Sequence, residues 1–454
     1  MIGTVTAVLQ HINADLAQRL DAPTILALCH DAGDQWRPRV LDPVTTVHLF
    51  ILQILHGNTA CSHLPHLAGQ RFTASAFCQA RTRLPRTVFQ QLLRRTTASL
   101  DQTTQDEGRW RGHRTFLVDG SSFSMPDTPE LQEHFGQPGG QRPGCGFPVA
   151  HLLALFHAGT GFLMEVVVDP WHTHDMARVT MLHPTLRPGD VLVGDRAFCS
   201  FAHLALLRQQ HLHALFRVHQ KQIVDFTPAR PHTTPKPQAA QKGRPRSRWL
   251  CQLGGTDQLV EWVKPVRPPR YPPAWMTPEV FASFPEVLCV RELRYRVAQA
   301  GFRTQTVTLV TTLLDAALYP GEALAELYGL RWHVETNLRH LKQTMGLDVL
   351  HCKRLAGVMK ELTVFALVYN LVRVVMLEAA KRQGVALARI SFVDALRWLS
   401  TARPGEPLPP LVVNPHRPDR VEPRAVKRRP KPYPLLTKPR REARNALLQQ
   451  HVGA

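Results

Sequence analysis

The sequence predicts an α/β protein in which a strand-bearing core sits between helical regions. Three observations carry this. Apolar segments with helix start and stop signals fill the first hundred residues. Two short apolar runs, Phe116-Leu117-Val118 and Val191-Leu192-Val193-Gly194, each deliver an aspartate, Asp119 and Asp195, at a strand's C-terminal end. A long amphipathic helix begins after Pro320-Gly321.

In chain order, residues 47–55 read as an apolar helix stopped by Gly57-Asn58. A second helix covers 74–83 and a third 86–100, with Pro85 before its first turn. The texture changes near residue 113. Residues 115–118 are a strand, 136–148 a Gly/Pro-rich loop, and 149–157 with 162–168 a hairpin around Ala158-Gly159-Thr160-Gly161. A helix over 176–182, a strand over 190–194, a helix over 200–211 and a strand over 214–218 follow. Residues 226–248 hold five prolines, six Lys or Arg and no acid, and read as an exposed loop. Strands return at 259–263, 287–290, 295–297 and 306–311. Helices over 322–345, 360–382 and 390–401 precede a basic, Pro-rich tail. The expected organisation is a helical region at 1–105, a core at 106–219 and 314–350, a β-rich insertion at 220–313, C-terminal helices at 351–402 and a tail at 403–454.

Composition narrows the function. Among 454 residues, 55 Lys and Arg against 35 Asp and Glu leave a net charge of +20. Such an excess points first to a polyanion, and nucleic acid is the leading one. Residues 417–444 alone carry eleven Lys or Arg and three acids, a net of +8, which suits DNA backbone contact. A hydrophobic share of 44% excludes wholesale disorder. Eight scattered cysteines without a C-x-x-C pair do not form a disulfide framework and fit a reducing cytosol. The first residues lack the basic and apolar stretches of a signal peptide. Residues 362–380 are apolar, yet Asn370 and Arg373 sit mid-stretch, so they read as a core helix and no membrane partner is expected.

The helix at 322–345 carries the chemistry. At 100° per residue, with Tyr328 at 0°, Arg331 falls at about 300°, Glu335 at about 340° and Lys342 at about 320°. Leu330, Val334, Leu338, Leu341 and Met345 cluster on the neighbouring face. One stripe packs on a core; the next presents a tyrosine, two cations and a carboxylate.

The arrangement Tyr328-x2-Arg331-x3-Glu335-x6-Lys342 resembles the signature of DDE transposases of the insertion-sequence-4 family. Asp119 in Val118-Asp119-Gly120-Ser121-Ser122-Phe123 and Asp195 in Val193-Gly194-Asp195-Arg196-Ala197-Phe198 look like that family's first two metal-binding aspartates. The stretches at 77–85 and 365–377 add to the likeness, which spans about residues 70–380. Gly194 departs from the alanine frequent there.

The resemblance implies a ribonuclease H-like core with a β insertion before the glutamate. It implies Asp119, Asp195 and Glu335 as ligands of two Mg2+ ions, with Mn2+ able to substitute; carboxylates suit such hard cations. Tyr328, Arg331 and Lys342 would meet DNA phosphate. The implied activity is cut-and-paste transposition in the bacterial cytoplasm, at the nucleoid, by nicking, hairpin formation and strand transfer. The implied partners are terminal inverted repeats, read by the helical N-terminal region, target DNA, and a second copy of the chain in a synaptic dimer. A flipped base would stack on an aromatic of the insertion, with Trp262 the candidate and Trp249 and Trp275 its rivals. The competing readings are a nuclease or resolvase of the same fold that cuts without rejoining, a transposase-derived DNA-binding protein without catalysis, and a basic RNA binder. Cys61-x-His63-x2-His66 lacks a fourth zinc ligand. Ser121 and Ser122 lack a nucleophile's partners; His172, His174 and Asp175, just before the helix leading to Asp195, could line the active site, but capping and surface roles are the expectation.

Overall fold

A computed structural model describes residues 4–37, 39–106, 108–231, 245, 247–297, 306–415 and 436–452. Nine strands within them share one sheet: β1 Thr115–Ser124, β2 Val149–His157, β3 Leu163–Pro170, β4 Val191–Gly194, β5 His213–Arg217, β6 Arg248–Gly254, β7 Asp257–Val263, β8 Val287–Arg296 and β9 Thr306–Thr311. Their order across the sheet is β3-β2-β1-β4-β5-β9-β8-β7-β6. β1 pairs parallel with β4, and β4 with β5; the other pairings are antiparallel. β4 is buried along its whole length, as a strand covered on both faces must be.

The strands of the 220–313 segment do not form a sheet of their own. β9 returns antiparallel to β5, pairing Leu215 with Thr311, and β8, β7 and β6 extend the same sheet outward. Alternating burial along β7 explains the pattern: one face packs on the molecule, the other meets solvent. Arg230 is described within the basic loop and donates to Ser247 O and Oγ. Lys236, Lys242, Arg244 and Arg246 of that loop, and residues 416–435 of the tail, lie outside the described residues.

Helices cover the sheet and form the N-terminal region, where the described residues hold Thr4–Gln10, Ala14–Arg19, Ala22–Asp31, Pro43–Leu55, Leu64–Ala68, Ala74–Arg83 and Arg86–Asp106. Asp42 caps Pro43–Leu55 by accepting from Thr45 N at 2.7 Å. The helix Leu355–Gln383 is long and apolar enough to cross a membrane by length and composition, but 83% of its apolar window is buried inside the fold. Its mid-helix polar groups have structural work. Asn370 brackets the Leu163 backbone, accepting from its N and donating to its O at 2.8 Å each. Tyr369 donates to Gly161 O at 3.0 Å and Arg373 to Thr160 O, so both clamp the β2–β3 turn. Gly161 holds φ at +68° there, and the Arg373 guanidinium fills the space of a Cβ.

The interior also buries imidazoles. Burial pulls His203 down to about 3, and His157, His183 and His340 to about 4. In the unfolded chain they take a proton near pH 6.5. Between those values the unfolded state binds more protons, so their contribution is intact above about 6.5 and is lost as pH falls toward 4. The thermal midpoint is therefore expected to fall steadily from pH 7 to pH 5. A flat profile over that range would show that the folded rings bind protons as readily as the unfolded ones, through acceptors that stabilise the imidazolium.

Candidate active site

Asp119 and Asp195 come side by side through register, but only Asp195 follows the end of its strand: β1 does not stop at Asp119, as the apolar run predicts, and continues past it to Ser124, paired with β2 throughout. β1 and β4 pair Leu117 with Val193, and two further residues place Asp119 beside Asp195. Asp119 Oδ1 accepts from Gly120 N at 2.9 Å, and Asp195 Oδ1 from Ala197 N at 2.7 Å. Burial pushes the Asp119 carboxyl up to about 6; the Arg331 guanidinium and the Gly120 amide oppose this, while Asp195 and Asp175 add to it. Gly194 is explained locally: a Cβ there would lie 2.8 Å from the Phe198 ring and 3.1 Å from Val118 Cγ1. Phe198 takes the space an alanine would use.

The third acid arrives by a less regular route than a uniform helix. Gly321–Gly329 and Trp332–Arg339 are separate helices, broken at Leu330-Arg331, and residues 340–344 widen into a π turn. The break lets Arg331 span two acids: Nη1 lies 3.4 Å from Asp119 Oδ2, and Nη2 donates to Glu335 Oε1 at 3.0 Å. Arg331 is largely buried, whereas the Glu335 side chain is half exposed. Tyr328 is 5% exposed, and burial pushes its hydroxyl up to about 12 against the pull of Arg331 and Arg217. Tyr328 also feels the charge of Asp195.

Lys342 leaves the arc a straight helix would give it. The wider π turn rotates each residue by less than the roughly 100° of an α-helix, and the Lys342 Nζ ion-pairs with Asp348 Oδ1 at 3.2 Å. It lines a cavity of about 640 Å3 together with Gly57, Gln343 and His351.

Trp262 is corrected outright. It is 4% exposed, and its indole N–H donates to Glu292 Oε1 at 2.8 Å. Gln258 donates to the other Glu292 oxygen at 2.9 Å, so the ring belongs to a buried polar cluster in the core and offers no face to a base. On β7 it takes a buried position of the strand's alternating pattern. Trp275 donates to Met176 O at 2.7 Å, and Trp249 is half-buried on β6. Among the described residues, aromatics that do face solvent include Tyr271, 81% exposed beside Arg270, and Trp332, 42% exposed under the Arg331 guanidinium, with Phe147 and Trp36 exposed elsewhere. Neither Tyr271 nor Trp332 stood out in the sequence. Trp332 directly follows a signature residue, and that adjacency was the available signal.

The donor chemistry, three carboxylates and no sulfur, fits a hard divalent cation. Among the described residues, however, no three His, Cys, Asp or Glu stand close enough to hold an ion. Arg331 fills the gap between Asp119 and Glu335.

The sequence model of the family described as "Transposase DDE domain" matches residues 110–371. The chain belongs to that family. This DDE transposase is 24% identical over 391 residues to "Transposase InsG for insertion sequence element IS4" of Escherichia coli strain K12, covering 80% of this chain and 78% of that one. The relative places it with the insertion-sequence-4 transposases. Among solved structures, the piggyBac transposase synaptic complex with hairpin DNA aligns at a TM-score of 0.42 and 11% identity, over 88% of this chain and 79% of that one. Membership of the DDE transposase family makes this transposase a metal-dependent enzyme of DNA cleavage and transfer.

Proposed function

We propose that the transposase excises and inserts an insertion sequence by cut-and-paste chemistry at a centre built from Asp119, Asp195 and Glu335. One observation carries this above the others. Arg331 ties Asp119 to Glu335, 216 residues apart in sequence, beside the C-terminal end of β4 that Asp195 follows. The β3-β2-β1-β4-β5 half of the sheet, antiparallel and then parallel, supports a ribonuclease H-like core with β6 to β9 as its insertion.

The three carboxylates would hold two Mg2+ ions, with Mn2+ able to substitute. Such ions, when bound, activate the attacking oxygen and stabilise the leaving one. The protein's own groups do the rest. Asp119, braced by the Gly120 amide, carries a charge that burial disfavours and that a cation beside it would favour. Arg331, once released from the acids, is a two-pronged donor for the scissile phosphate. Tyr328 holds a neutral hydroxyl that donates to phosphate oxygen. Tyr271 and Trp332 take the place of Trp262 as faces for an unstacked base.

The helical region at 1–105 reads inverted repeats, the basic loop and tail follow the backbone, and two copies pair two ends in the bacterial cytoplasm. A plasmid with paired element ends tests the reading. Joined products are expected, through hairpin ends; nicks that never rejoin would favour a plain nuclease.

Lys342 serves the DNA backbone from the cavity beside the N-terminal region. Lys342→Ala is expected to weaken end binding and to lower the slope of log affinity against log salt by about 1. An unchanged slope in a fluorescence titration would remove Lys342 from the DNA contact.

A further inference from the structure

Gly120, the residue after Asp119, is committed on two sides. Its N–H donates to Asp119 Oδ1 at 2.9 Å. Its Cα face is covered by the carboxylate of Asp175, so closely that a Cβ would come within 3.0 Å of both Asp175 Cγ and Oδ2. Asp175 is therefore not the surface or capping residue its sequence context predicts. It is aimed at this spot. His151, on β2 directly opposite Ser122 of β1, sets its Nε2 2.5 Å from Asp175 Oδ1. The short helix Asp175–Arg178 is braced from both sides: Arg178 ion-pairs with Asp169 of β3 at 2.9 Å, and the Trp275 indole donates to Met176 O at 2.7 Å. Three separate elements thus converge to hold one carboxylate beside Asp119, where like charges already repel. An arrangement that costs electrostatic energy in the bare protein is offset when a cation arrives.

We propose that Asp175, aimed by His151, is a fourth acidic group of the catalytic centre: a positioning residue that adds its charge beside Asp119 and orients the waters of the divalent cation held there. This rests on the reading that Asp119, Asp195 and Glu335 hold that cation. Groups of this outer kind contribute about 10- to 100-fold to metal affinity. The glycine after Asp119 is then a requirement of the site, since any side chain would displace the Asp175 carboxylate.

The test is Mn2+ binding to the full-length chain by titration calorimetry, for the parent, Asp175→Asn, His151→Gln and Asp119→Asn. Thermal midpoints report folding. The Mg2+ concentration giving half-maximal cleavage of DNA ends is a second readout. Asp175→Asn is expected to weaken Mn2+ binding about tenfold. His151→Gln, which keeps the carboxylate but loosens its aim, moves affinity the same way by a smaller factor. Both raise the Mg2+ requirement. If Asp175→Asn does not fold, His151→Gln decides alone. Unchanged Mn2+ affinity in the folded variants, with binding lost in Asp119→Asn, overturns the role of Asp175. Unchanged binding in Asp119→Asn overturns the underlying reading of the three acids instead.

Discussion

Asp119→Asn and Glu335→Gln are each expected to lower DNA end cleavage by about 10^3-fold or more, roughly 4 kcal/mol of transition-state stabilisation. Both changes keep shape and remove only charge. Asn at 119 still accepts from the Gly120 amide, so β1 keeps its geometry there. Burial already disfavours the Asp119 charge in the metal-free fold, and a neutral amide relieves that cost. The thermal midpoint of Asp119→Asn should therefore hold or rise while cleavage collapses. Loss of stability without loss of cleavage would assign Asp119 to structure alone. Glu335 is half exposed and packs on no core, so its midpoint should scarcely move.

The parts of this site that sequence made legible are those set by short-range rules. Apolar runs that stop at a polar residue are visible locally, which is why Asp119 and Asp195 could be named, although only Asp195 ends its strand and β1 runs on through Asp119 to Ser124. The spacing of Tyr328, Arg331 and Glu335 was legible because most of the segment is helical. What a uniform 100° rotation could not reveal was the break at Leu330-Arg331 and the π turn at 340–344, which carry Lys342 toward Asp348. Those depend on how the segment packs, not on its period. Trp262 failed for a related reason: an aromatic in a strand is exposed or buried according to register, and its partner Glu292 lies on the next strand. The seat of Asp175 on Gly120 joins residues 55 apart, a contact no local pattern encodes. The extension of the core sheet by β9 is likewise a matter of which edge a returning strand finds.

Glu361→Ala is expected to destabilise the protein by about 3–5 kcal/mol, since it removes a buried acceptor on which several donors converge. Glu361 is fully buried in the helix Leu355–Gln383. Its Oε1 accepts from Asn58 Nδ2 at 2.6 Å and from His351 N at 2.9 Å, and its Oε2 from Cys352 N at 2.9 Å. Asn58 belongs to the N-terminal region and itself sits at φ +53°, so one carboxylate fastens that region to the segment leaving the site. The neighbouring Lys360 adds a second fastening, donating to Arg81 O and Thr82 O at the end of Ala74–Arg83. Gly57 and His351, on the two sides of this junction, both line the cavity that holds Lys342. Loosening it should separate the expected DNA-reading region from the lysine that faces the backbone. End binding by Glu361→Ala is then expected to fall even at temperatures where the variant remains folded. Glu361→Gln, which keeps one acceptor oxygen, should lie between variant and parent. A urea midpoint for Glu361→Ala within about 1 kcal/mol of the parent would mean that water replaces the carboxylate, and that the two regions are joined by apolar packing instead.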